Sequence, residues 1–76
     1  YNLYMDFKQF NYRDLLQQAH SFADEENISS LKEIKQELVN RINAKQAKDK
    51  SPSWGSLMGY YEICTIIESL NEEISQ

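Results

Sequence analysis

A chain of 76 residues with one Cys and one His has no pair of cysteines for an internal disulfide and lacks the four Cys or His ligands that a structural zinc site normally takes. Its net charge of −4 argues against general nucleic-acid binding, which needs clustered Lys and Arg. No uninterrupted apolar run approaches the ~20 residues of a membrane span. No basic stretch leads into an apolar core and a small-residue cleavage site, and the lone Cys64 suits a reducing compartment, so a cytoplasmic protein without cofactor or membrane contact is expected.

Residues 1–10 form an aromatic arm. Tyr1, Leu3, Met5 and Phe7 alternate with Asn2, Tyr4 and Asp6, which is strand periodicity, yet nothing else in the chain offers a strand to pair with. Three placements fit this pattern: an extended strap across the domain, a first helical turn or disordered end, or pairing with another chain's arm or sheet edge.

A helix is predicted over about 11–25. Asn11 suits its N-cap and Asp14 its first turn. Tyr12, Leu15, Leu16, Ala19, Phe22 and Ala23 recur at helical spacing, and the polar run Asp24-Glu25-Glu26-Asn27 ends the pattern. A second helix is predicted over about 30–46, opened by Ser30-Leu31-Lys32-Glu33 read as a capping box. Leu31, Ile34, Leu38 and Ile42 supply its narrow apolar stripe, and Lys45, Lys48 and Lys50 mark a solvated end.

A third helix is predicted over about 52–73, with Ser51 as cap and Pro52 in the first turn. Tyr60, Ile63, Ile67, Leu70 and Ile74 step by 3, 4, 3 and 4 along a heptad-like seam. Leu57, Tyr61, Cys64 and Ile66 flank it. So wide an apolar arc asks for cover from more than one direction. The expected fold is therefore all-α: a single domain over 1–76, a small three-helix bundle with an extended aromatic N-terminal arm. A domain of this size buries only roughly 60% of its unfolded surface. Disulfide and metal support being excluded by composition, a homodimer is expected.

Candidate chemistry is sparse. Cys64 falls inside an apolar arc and reads as a small core residue. His20 sits at the edge of the first helix's stripe. The acids form a consecutive run without the Gly-bearing loop of a cation site. No nucleophile has a base at a recognisable spacing, so the chain is expected not to be an enzyme. Binding is the more informative prospect. Residues 51–64 hold the only Pro, the only Trp and both glycines. Gly55 and Gly59, four apart, each cost roughly 1 kcal/mol against Ala inside a helix. Two readings offset that cost: a neighbouring backbone passing close over them, or a partner docking there, rimmed by Trp54, Met58 and Tyr61. Aromatics with Met are common anchors of protein interfaces. The candidate partner-binding set is Trp54, Gly55, Met58, Gly59 and Tyr61, and the expected function is a non-catalytic protein-binding module, such as an adaptor, inhibitor or regulatory subunit. The alternative is a nucleic-acid-associated regulator contacting phosphate through Arg41, Lys45, Lys48 and Lys50.

Overall fold

The computed structural model describes residues 6–75, with side chains through residue 73. Three α-helices follow a short 3₁₀ turn: α1 (Tyr12–Asp24), α2 (Ile28–Ala47) and α3 (Trp54–Ser75). They form the small all-α bundle that the periodicities predict. The core comes from the expected stripes. Leu15 and Ala19 of α1, Leu31, Ile34 and Leu38 of α2, and Ile63, Ile67 and Leu70 of α3 are buried together. Ile42, expected on the α2 stripe, is only half-buried, and the Ile74 side chain lies outside the described residues.

The α1–α2 connection is tighter than the sequence suggests. Glu26 takes the left-handed conformation, with φ 56°. The Asn27 amide donates to the Phe22 carbonyl at 2.8 Å and the Glu26 amide to that of Ala23 at 3.0 Å. This is the Schellman pairing that closes a helix. Asn27 then serves as the N-cap of α2, its side chain accepting from the Ser30 amide at 3.2 Å. Ser30 is therefore a first-turn residue rather than the cap. The cause is the Schellman turn, which delivers the Asn27 side chain to the head of α2 immediately after closing α1. At the far end of α2 the same device recurs around Asp49, with φ 59°. There the Lys50 and Asp49 amides donate to the Lys45 and Gln46 carbonyls, both at 2.9 Å.

α3 starts two residues later than predicted. Its cap is Ser53, whose hydroxyl accepts from the Ser56 amide at 3.2 Å, so Pro52 precedes the helix. α1 begins as predicted, with the Asn11 side chain accepting from the Asp14 amide at 2.8 Å.

The strand-like pattern of the arm lies mostly in residues 1–5, outside the described residues. The described part contains a 3₁₀ turn, Phe7–Gln9. Its Phe7 ring is buried and meets Phe10 and Phe22 edge-on, with centroids 5.7 and 6.4 Å away. Burial of one aromatic ring requires the local chain to turn inward, which alternation alone does not encode. The turn is held by Arg41 of α2. Its Nη2 donates to the carbonyls of Phe7, at 3.1 Å, and Phe10. Its Nε donates to Glu37 at 2.7 Å, and the guanidinium lies 5.1 Å from the Tyr12 ring centroid.

Candidate functional site

Of the five residues in the candidate partner-binding set, the structure brings three to the surface together. Among the described residues, Trp54, Met58 and Tyr61 are the large exposed apolar side chains, at 75, 49 and 61% exposure. Their spacing of four and three places them within about 60° of arc on α3, at ~100° per residue. Ile63, Ile67 and Leu70 lie on the opposite side of the helix, in the core. The stripe continues along the helix to exposed Thr65, Glu68 and Glu72. Tyr61 is held edge-on to Tyr60, with centroids 5.8 Å apart, and Lys35 of α2 lies 5.8 Å from the Tyr60 ring centroid. Thus the outward aromatic rests on one that is packed against the core.

Gly55 and Gly59 do not belong to that surface. They follow Trp54 by about 100° and 140° around the helix, toward the bundle interior. Gly59 is buried. A methyl group placed there would have Leu38 Cδ1 and Leu16 Cδ2 as its nearest neighbours, at 3.4 and 3.7 Å. The expected close backbone crossing is replaced by flexible side chains at ordinary contact distance. The tight glycine is Gly55, where the added methyl would lie 3.0 Å from Tyr12 Cδ2. The five residues expected to form one site are thus sent to different faces by the helical turn.

Tyr12 occupies the junction of α1 with the head of α3. Its hydroxyl accepts from Ser53 Oγ at 3.0 Å and from Ser56 Oγ at 2.7 Å. The two serine hydroxyls are themselves 2.9 Å apart. Ser56 is buried and this triangle satisfies it. The hydrogen bond from Ser53, then that from Ser56, holds the phenol below its ordinary pKa; partial burial opposes them, and the Arg41 charge assists. No local pattern announces the triangle, because Tyr12 and its partners are 41 and 44 residues apart.

The basic segment divides into two roles. Arg41 is engaged internally, with Glu37 and two arm carbonyls, so its guanidinium is not a free phosphate contact. Lys45, Lys48 and Lys50 are exposed and line a cleft of about 240 Å³ together with Tyr12, Arg41 and Ala44.

His20 of α1 meets α3 on the side opposite Cys64. His20 Nε2 lies 3.2 Å from Glu62 Oε1, and Cys64 follows Glu62 by about 200° around the helix. Cys64 is half-buried rather than fully within the core. Among the described residues, no three His, Cys, Asp or Glu side chains group as around a metal ion, and no helix is long and apolar enough to cross a membrane. Comparison with known proteins gives no match: no family model, no curated protein and no solved structure is similar to this chain.

Proposed function

We propose that this chain is a non-catalytic protein-binding module that docks partners, including a second copy of itself, along the Trp54–Met58–Tyr61 stripe of α3. The observation that carries the reading is that, among the described residues, the three large exposed apolar side chains share one stripe of one helix. Scattered single exposures need no explanation, whereas a contiguous apolar patch commonly marks an interaction surface. Trp and Tyr are also the residues that most often dominate binding energy at such surfaces. Self-association adds buried apolar area to a domain whose own core is small.

Trp54 provides the test, because it is the only Trp in the chain and its emission reports its own burial. Raising the protein concentration through the micromolar range should shift the emission to the blue, in step with dimer formation by sedimentation equilibrium. Tyr61→Ala and Met58→Ala, both at exposed positions, should weaken association while leaving helicity intact. A folded monomer with unchanged emission over that range would remove self-association from the reading. If neither substitution altered capture of any cellular protein, the wider docking role would fall too.

A further inference from the structure

The cleft at the end of α2 has a composition at odds with the chain that carries it. The protein is acidic overall, at −4, yet this cleft is lined by Lys45, Lys48, Lys50, Arg41, Tyr12 and Ala44 and by no carboxylate. The neighbouring acid, Asp49, lines an adjoining groove with Gln46, Ser51, Pro52 and the shared Lys50. Cations at a helix C-terminus often serve only to satisfy its terminal carbonyls and dipole. Here the Lys45 carbonyl already accepts from the Lys48 and Lys50 amides, and the Gln46 carbonyl from the Asp49 amide. These two carbonyls are closed by backbone amides rather than by ammonium groups. The ion pairs among the described residues are His20–Glu62 and Arg41–Glu37, and the three lysines take part in neither.

The wall of the cleft is fixed where the lysines are free. Arg41 is anchored by Glu37 and the arm carbonyls, and Tyr12 by the hydroxyl triangle it forms with Ser53 and Ser56. One of those serines is the N-cap of α3, so the positive end of that helix dipole stands behind the phenol. A volume of about 240 Å³ is below the ~300–1,000 Å³ of drug-sized sites and suits a compact ligand. Several adjacent cationic donors favour multiple anionic oxygens over a single carboxylate.

We propose that this cleft binds the phosphate groups of a small polyphosphorylated molecule, with Lys45, Lys48 and Lys50 as ammonium donors and the anchored Tyr12 and Arg41 side chains as its wall. The site is separate from the α3 stripe, and its occupancy does not depend on protein docking there.

Titration calorimetry and amide chemical-shift mapping with inorganic tripolyphosphate test the proposal on the intact chain. Tripolyphosphate should bind and shift the amides of residues 45–50 and Tyr12. Lys45→Gln with Lys48→Gln should weaken it ~tenfold or more, the worth of about one charge-assisted hydrogen bond. Lys8→Gln with Lys32→Gln makes the same change in net charge at exposed positions outside the cleft and should weaken binding less than ~threefold, a long-range screened effect. ATP and adenosine separate the sources of phosphate. Equal binding of ATP and tripolyphosphate points to phosphate alone, tighter binding of ATP to a nucleotide, and either result supports the site provided adenosine does not bind. Equal weakening by the two lysine pairs would overturn the proposal, as would shifts centred elsewhere. Binding of a short oligonucleotide without binding of tripolyphosphate would also overturn it, in favour of an extended nucleic-acid track.

Discussion

Removing the Arg41 side chain should cost the fold more than any other single loss of a charged group. Arg41→Ala deletes two hydrogen bonds to the Phe7 and Phe10 carbonyls and one to Glu37. It also leaves the Glu37 carboxylate, only 11% exposed, without its partner. Hydrogen bonds with a charged donor contribute ~1.5–3 kcal/mol each, and breaking a buried pair costs ~3–5 kcal/mol. The Arg41 side chain is 19% exposed, so water recovers part of the loss, and a net cost of about 3 kcal/mol is expected. A chain of this length has roughly 4–11 kcal/mol of total stability, so the variant should sit near the margin. Thermal melts should fall by about 12–24 °C at 4–8 °C per kcal/mol. Arg41→Lys keeps the charge but cannot reach Glu37 and two carbonyls with one planar fork, and should lie between wild type and Arg41→Ala. Hydrogen exchange localises the effect: the Phe10 amide, which donates to the Phe7 carbonyl at 3.1 Å, should lose protection in both variants. A loss below ~1 kcal/mol, in the range of an exposed ion pair, with Phe10 still protected, would refute the view that Arg41 clasps the arm.

Two further predictions concern backbone positions. Gly59→Ala should stabilise by about 1 kcal/mol through helix propensity, because its methyl meets only side-chain carbons at ordinary distance, whereas Gly55→Ala should destabilise by about 1–2 kcal/mol by displacing the Tyr12 ring; the opposite order in denaturant midpoints would contradict the packing described. Glu26→Gly should raise stability by up to ~1 kcal/mol by relieving a left-handed residue with a Cβ, and Asp49→Gly by less, since Asp tolerates that region better; a drop at Glu26 would show that its conformation is not strained.

The elements were legible because their signals are local. Leu15 and Ala19, then Leu31, Ile34 and Leu38, then Ile63, Ile67 and Leu70, each mark one face within a few turns, and burial follows that phase. The Asn11 cap was legible for the same reason. The cap of α2 was not. Ser30 matches the capping-box motif, but the Schellman turn brings Asn27, part of the polar run that ends α1, to the helix head three residues earlier. Arg41 was legible only as a candidate phosphate contact, because its spacing of four from Glu37 is that of an ordinary exposed pair. Its other partners, the carbonyls of Phe7 and Phe10, are 34 and 31 residues distant and carry no side-chain signature at all.

The glycines show how the same local logic can mislead when contiguity stands in for phase. The special residues of 51–64 invited one site, yet the turn of ~100° per residue separates Trp54, Met58 and Tyr61 from Gly55 and Gly59. The phase was available from the numbering alone. What the numbering does not carry is the occupant of the inward side: Tyr12 over Gly55, and Leu16 with Leu38 over Gly59. Nor does it reveal that the two left-handed turns, where Gly is ordinarily favoured, fall to Glu26 and Asp49. The chain thus places its glycines inside a helix and its left-handed strain on acids. At Gly55 the missing Cβ admits an aromatic ring whose hydroxyl then completes the serine triangle at the head of α3. That contact couples α1 to the start of the helix bearing the exposed stripe. Gly55 thus serves the α1–α3 junction while Trp54 beside it, 75% exposed, is turned outward by the helical phase, so two neighbours in sequence act on different faces of α3.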